Sequence, residues 1–325
     1  MAVSTRQPRM DVRLTEEQRR DFEEKGYVLL EDFFEPEEYG RLLEAIDEVR
    51  DRYDREKGVP PETPFAVRNA LTKHEAFLDL VDHPGMLPLV VDVIGWNIQI
   101  RTTHLDYRPP YPKELVAGEL GTGEGADHAA GYRNLVWHPD LAGPYLFEAP
   151  SLDGRLPFME IKVGYYLSDL TEPNSGELYV VPGSHRRKPQ ELRDMEHRVP
   201  EDQALPLRVR ANTALLWRTA LWHCVAPNLS DKVRKAFYVG YHYRWLRPTD
   251  YDHQDPALIA RSSPIRRQLL GALAVGGDPM AGTHDPNWEP ASQHWIPKNW
   301  DDVPLKAWAE ERSRQATDRV QGLHL

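Results

Sequence analysis

The chain has 325 residues, 40% of them hydrophobic and 28% charged, with a formal net charge of −11; that is length enough for a sizeable core, and the acidic balance argues against a nucleic-acid partner. No run approaches the ~18 apolar residues of a membrane span, and the opening "MAVSTRQPRMDVR" lacks the apolar centre of a signal peptide. Cys224 is the only cysteine, which excludes a disulfide within the chain and leads to the expectation of a cytoplasmic location.

Residues 1–12 read as a disordered lead-in. "TEEQRRDFEEKG" then predicts a helix, with Thr15 as N-cap, Gln18 as its capping-box partner and Gly26 as its end. "YVLLEDFF" predicts a short strand. Pro36 opens a second helix, in which Tyr39, Leu42, Leu43, Ile46, Val49 and Tyr53 form one apolar stripe before Gly58 stops it. Further helices are expected in "KHEAFLDLVDH" and "MLPLVVDVIG". After Gly95 the texture changes. "NIQIRTTHLDY" is rich in β-formers, and "GELGTGEGADHAAG" (118–131) reads as a flexible loop. Four strand-like runs follow: "FMEIKVGYYLSDL", "GELYVVPG", "LRVRANTALLWR" and "KAFYVGYHYRW". The last alternates, with Phe237, Val239, Tyr241, Tyr243 and Trp245 on one face. Short strands at this spacing point to a sandwich or barrel rather than a parallel βαβ sheet. The tail is rich in Pro and Trp, with helices expected in "SSPIRRQLLGALAVGG" and "LKAWAEERSRQATDRV". No repeat or linker is visible, so one domain is expected over 1–325: a helical part at about 13–95, a β-core at about 96–245 and a covering segment at about 246–325.

The chain holds no HExxH, no GxxxxGK[ST], no GxGxxG after a strand and no GxSxG. Cys224, in "WHCVAPN", reads as a small buried filler. What remains is His-x-Asp with a distant histidine. Three such pairs occur: His104/Asp106, His138/Asp140 and His253/Asp255. In an extended segment residues i and i+2 project to the same face, so either member can reach one ion. Two imidazoles and one carboxylate occupy one face of a six-coordinate ferrous ion and leave three positions, which suit a bidentate organic acid and dioxygen. His223 ends the apolar run "ALLWRTALWH", and Arg234 lies 11 residues beyond it (234 − 223), where a guanidinium can grip the far carboxylate of such an acid. No histidine after His253 has an arginine at a comparable distance. His138/Asp140, directly after the Gly-rich loop, is the preferred partner of His223; His104/Asp106, or no metal, stays open.

"GYVLLEDFFEPEE", "WHPD", "KVGYYLSDLTEPNSGELYVVPGSHR" and "LWHCVAPNLSDKVRKAFYVGY" together resemble the phytanoyl-CoA dioxygenase family of Fe(II)/2-oxoglutarate oxygenases, from about Thr15 to Trp245. The resemblance implies a mainly β fold with flanking helices (α+β), built on a double-stranded β-helix (jelly-roll, cupin-like) core. It implies Fe(II) held by His138, Asp140 and His223, 2-oxoglutarate held at its distal carboxylate by Arg234, and O2 as co-substrate. Tyr165 and His104 would line the 2-oxoglutarate pocket. Many relatives carry a hydroxyl residue two positions after the distal His; Val225 stands there, so either another donor, such as a tyrosine, serves or the contact is missing. Relatives that halogenate have a small residue in place of the metal-binding carboxylate, so Asp140 favours hydroxylation or a related oxidation. The implied substrate is a small molecule, with a specialised metabolite expected, and the alternative is a non-oxidative or degenerate ligand-binding jelly roll. Arg68 and Trp137 are candidate substrate-pocket residues, Trp137 and Trp222 a candidate dry wall, and the aromatic tail a candidate lid. His185 of "PGSH" is expected to steady its loop.

Overall fold

The computed structural model describes residues 7–58, 60, 62–111, 137–140, 157–272 and 303–322. Along the chain α1 (Glu16–Glu24), β1 (Tyr27–Leu30), α2 (Pro36–Lys57), β2 (Phe65–Arg68), α3 (Glu75–Leu78), α4 (Leu87–Ile94) and β3 (Ile98–Arg108) come first. They are followed by β4 (Glu160–Tyr166), β5 (Leu178–Val180), α5 (Pro189–Asp194), β6 (Leu205–Leu207), β7 (Thr213–Arg218), β8 (His223–Val225) and β9 (Arg234–Tyr243). Three helices close the described chain: α6 (Pro256–Ala260), α7 (Pro264–Leu269) and α8 (Pro304–Gly322). None of the described helices is long and apolar enough to cross a membrane. The Gly-rich loop 118–131 and most of the aromatic stretch after Pro286 lie outside the described residues.

The described residues group into two compact units, one from Thr15–Phe77 and Thr103–Val239, the other from Met1–Leu14, Leu78–Thr102 and Gly240–Leu325. In the first, local chemistry sets the helices. Thr15 Oγ1 accepts from Gln18 N–H at 3.1 Å and Gln18 Oε1 accepts from Thr15 N–H at 2.9 Å, the reciprocal cap that opens α1. α2 starts on Pro36 and ends on Gly58 in the left-handed region (φ 63°), and Leu42, Ile46 and Val49 bury its stripe. β1 is shorter than "YVLLEDFF" predicts, because Asp32 turns the chain (φ 49°) and Phe33 N–H and Phe34 N–H go to Asn212 instead of a ladder.

Two sheets carry this unit. The larger runs β1-β7-β4-β9-β3-β2 and the smaller β6-β5-β8. The β1–β7, β4–β7, β2–β3, β5–β6 and β5–β8 pairs are antiparallel. Tyr166, Leu215, Trp217, Ala236 and Tyr238 from the larger sheet meet Leu178 and Val180 from the smaller in one buried cluster. Strands of two sheets facing one core are the jelly-roll arrangement expected from the sequence. β9 departs from the two-faced reading: residues 236–242 are buried on both faces, and Trp245 lies beyond the strand, 52% exposed.

In the second unit buried ion pairs join the helices. Arg266 of α7 bonds Asp82 at 2.5 Å and Asp79 at 3.1 Å, and Arg312 of α8 grips Asp92 with both terminal nitrogens at 2.7 and 3.1 Å. Residues 7–12 of the lead-in are ordered, contrary to expectation. Arg9 N–H donates to Pro84 O at 3.0 Å and the Trp308 indole donates to Pro8 O at 3.1 Å, so partners distant in sequence hold a segment with no local signal.

Candidate metal centre

"WHPD" reaches His223 because its backbone is tied to the segment before β8. His138 and His223 exchange backbone hydrogen bonds, each at 3.0 Å, and Asp140 N–H donates to Thr219 O at 2.7 Å. Fastened at both ends, the extended stretch turns His138 and Asp140 toward His223. One ligand atom from each of the three lies within 4.8 Å of the others, the sole such group of three His, Cys, Asp or Glu side chains among the described residues. The two imidazole centroids are 4.5 Å apart.

The donors have the chemical form a metal requires. His223 Nδ1 lies 2.8 Å from Leu221 O, which places the ring proton there and leaves Nε2 with its lone pair. Burial lowers the His223 pKa to about 4 against the opposing pull of Asp140, so the ring is neutral near pH 7. Burial favours the neutral form of Asp140, but the Lys162 ammonium, together with His223 and His138, outweighs it and holds this carboxyl well below the usual range. Asp140 Oδ2 accepts from Lys162 Nζ at 2.9 Å and lies 3.5 Å from His223 Nε2. Two imidazoles and one carboxylate form a donor set that fits Fe(II) and leaves positions open.

A chain of contacts leads from this group to Arg234. Lys162 Nζ lies 5.5 Å from the Trp217 ring centroid and 5.4 Å from that of Tyr238, and Trp217 is edge-on to His223 at 6.2 Å. The Tyr238 hydroxyl accepts from Arg234 Nη2 at 2.6 Å, while Arg234 Nη1 donates to Asp106. Arg234 is fully buried, its Nε has no hydrogen-bond partner among the described residues, and its charge lies over Tyr166 at 5.8 Å. A buried guanidinium with an unsatisfied N–H suits a further anionic oxygen.

Glycines make the room. Gly176 is in the left-handed region (φ 84°), and a Cβ there would stand 2.5 Å from Arg234 Cδ. The turn around it is closed by the buried Glu177, whose two oxygens accept from Asn174 N–H and Ser175 N–H at 3.0 Å each. That is the structural content of "NSGE". A Cβ on Gly164 would meet Tyr238 Cε1 at 2.9 Å. In "PGSH", Ser184 Oγ accepts from Trp222 N–H at 2.8 Å and His185 Nε2 lies 3.2 Å from Glu23 O, so the loop steadies the segment next to His223.

The structure separates the remaining predicted residues. Tyr165 is not brought to the site: its ring packs on Phe33 and Phe34 at 5.7 and 5.1 Å, on the opposite face of β4. The alternation of the strand gives that place to Tyr166, which meets Tyr238 at 6.2 Å, with Gly164 and Lys162 on the same face. His104 lies beside Tyr238 at 5.3 Å, and burial lowers its pKa to about 4, so it sits near the Arg234 side and not among the three donors. Its neighbour Asp106 is taken by Arg234 and Arg108. Arg68 is exposed and pairs in register with His104. Trp137 and Trp222 do not wall the metal site; they lie in a separate cluster with Tyr179, Leu192, Val199 and Cys224, because alternation turns them away from His138 and His223. Sequence reasoning missed Lys162, Trp217 and Tyr238, and weighed Asp106 only as a metal ligand, not as the partner of Arg234. The one available signal was a lysine in the buried-looking strand "EIKVGYY".

Comparison with known proteins agrees with this architecture. The family model for phytanoyl-CoA dioxygenase (PhyH) matches residues 22–236. A probable alpha-ketoglutarate-dependent hypophosphite dioxygenase of Stutzerimonas stutzeri is 24% identical over 251 residues, covering 69% of this chain and 77% of that protein. An ectoine dioxygenase of Nocardia farcinica is 23% identical over 252 residues, covering 69% of this chain and 76% of that protein. The crystal structure of EctD from S. alaskensis with 2-oxoglutarate and 5-hydroxyectoine superposes with a TM-score of 0.53 at 18% identity, over 77% of this chain and 83% of that one. With a family model spanning both the His-x-Asp pair and the arginine strand, the chain belongs to the phytanoyl-CoA dioxygenase family and is a 2-oxoglutarate-dependent non-haem iron dioxygenase.

Proposed function

We propose that His138, Asp140 and His223 hold Fe(II), that Arg234 binds the distal carboxylate of 2-oxoglutarate, and that the site hydroxylates a C–H bond of a small molecule of specialised metabolism. The observation that carries this reading is the three-donor group linked through Lys162 and Tyr238 to a buried arginine with an unsatisfied N–H. When bound, the iron supplies a redox centre that activates O2 while 2-oxoglutarate is oxidised to succinate and CO2, one oxygen atom going to succinate and one to product.

The residues of the chain perform the positioning. Arg234, held by Asp106 and Tyr238, offers a fixed guanidinium that does not have to be ordered when the co-substrate binds. Tyr238 supplies the hydroxyl that Val225 lacks: its oxygen accepts from Arg234 and leaves its proton for a carboxylate oxygen. The Leu221 carbonyl keeps His223 in the tautomer that presents Nε2. Trp217, Tyr166 and Leu215 keep water from the space between metal donors and arginine. Ectoine and hypophosphite, the compounds in the names of two relatives, are both small and support a small substrate here.

The test is iron-dependent succinate formation across a panel of neutral and zwitterionic small metabolites. Wild type is expected to form succinate with at least one, and Asp140→Ala to form none while keeping its fold. Equal turnover by Asp140→Ala would remove the proposed site.

A further inference from the structure

We propose that Lys162 is a positioning residue that changes partner when the metal arrives: its ammonium holds Asp140 in the metal-free protein and turns to an anionic oxygen of 2-oxoglutarate in the loaded one. The inference rests on the metal and co-substrate reading above.

Lys162 sits in the middle of a buried strand with its side chain only 11% exposed, an expensive place for a cation. Its partner is Asp140 Oδ2 at 2.9 Å, the same oxygen that lies 3.5 Å from His223 Nε2. Lys162 therefore occupies the carboxylate oxygen on the side of the donor group, where a divalent ion has to bind. A doubly charged ion and an ammonium on one oxygen repel, and the metal, with two imidazoles in addition, wins. The displaced ammonium is confined by its own strand. The Trp217 and Tyr238 rings lie 5.5 and 5.4 Å from Nζ, and Tyr238 leads to Arg234. It remains in the space between the metal donors and the guanidinium, which a dicarboxylate must span.

Charge bookkeeping gives the same answer. The buried charges of Lys162, Arg234, Asp140 and Asp106 cancel in the metal-free protein. A divalent ion leaves two positive charges uncompensated, and a dianion restores neutrality. A buried cation stripped of its partner is costly until that anion enters, so metal loading should tighten 2-oxoglutarate binding through Lys162.

The experiment uses anaerobic Mn(II) titration of the full chain, followed by calorimetric titration of the Mn(II)-loaded protein with 2-oxoglutarate, on wild type, Lys162→Met and Lys162→Gln. Both variants should bind Mn(II) about tenfold more tightly, because a competitor is gone, and the loaded forms should bind 2-oxoglutarate about tenfold more weakly, because a charge-assisted bond is gone. Should Lys162→Met not fold, Lys162→Gln, which keeps a hydrogen-bonding end without the charge, reads the same two affinities. Weaker or unchanged Mn(II) binding would mean that Lys162 only steadies Asp140, and unchanged 2-oxoglutarate binding would mean that it never meets the co-substrate; either overturns the proposal. Both of those results leave the iron and 2-oxoglutarate reading standing. Failure of the wild type to bind Mn(II) or 2-oxoglutarate sinks that reading and this proposal with it.

Discussion

Asp106 and Arg234 form a buried pair in which neither charge has water to fall back on, with side chains 3% and 0% exposed. Removing one partner of such a pair costs about 3–5 kcal/mol, chiefly for the charge left behind. Asp106→Asn should therefore lower unfolding stability by that order. Saturating 2-oxoglutarate should raise the variant's melting temperature more than that of wild type, since the ligand brings the missing carboxylate to Arg234. Equal ligand shifts in the two proteins would place 2-oxoglutarate away from Arg234. At this scale the sequence was readable where chemistry depends on spacing: His138, Asp140 and His223 were chosen from three His-x-Asp pairs by the later His and Arg, and the structure brings those three side chains together. It was not readable where one residue of strand phase decides. Tyr165 and Tyr166 look alike in "VGYY", and only the packing of Tyr165 on Phe33 and Phe34 tells which faces the arginine.

Elements whose ends are set by local chemistry were legible, and those set by distant partners were not. The capping box of α1 and the Pro36 and Gly58 boundaries of α2 follow from side chains within four residues of the helix end. "KHEAFLDLVDH" instead yields a single turn, α3. The Tyr241 hydroxyl claims the Val81 carbonyl at 2.9 Å, and Arg266 claims Asp79 and Asp82. Two glycines with positive φ separate backbone strain from function. Gly58 (φ 63°) meets no described residue where its missing Cβ would stand, so Gly58→Ala should cost about 1 kcal/mol, the strain of that conformation alone. Gly176 (φ 84°) has Arg234 Cδ 2.5 Å from where a Cβ would stand. Gly176→Ala should cost about 1–3 kcal/mol more by overpacking, and should weaken 2-oxoglutarate binding as well. Chemical denaturation and 2-oxoglutarate titration of both variants check this; co-substrate binding equally intact in the two would detach the "NSGE" turn from the arginine.

The whole molecule buries several histidines in neutral form. Burial lowers His223 and His104 to about 4 and His242 to about 3, against an ordinary value near 6.5 in the unfolded chain. Below about pH 6.5 the unfolded chain takes up protons that the folded chain refuses, so the stability these groups contribute is complete above that pH and falls as the pH drops toward 4. The melting temperature of the metal-free protein should decline steadily across that window, and a flat profile would contradict the burial of these rings. A sandwich or barrel was legible from short strands divided by turns, and the jelly roll from the family resemblance. Burial on both faces in β4 and β9 was not, because it depends on what packs on the strands from elsewhere in the chain. The ordered lead-in was not, since Pro8 and Arg9 are held by Trp308 and Pro84 and not by any neighbour in the chain. The most direct test of the site is anaerobic addition of 2-oxoglutarate to the Fe(II)-loaded protein, followed by visible absorption. A weak charge-transfer band should appear in wild type, require far more 2-oxoglutarate in Arg234→Met, and be absent in Asp140→Ala. No band in wild type, or an unchanged band in Asp140→Ala, would contradict iron and co-substrate binding at His138, Asp140, His223 and Arg234.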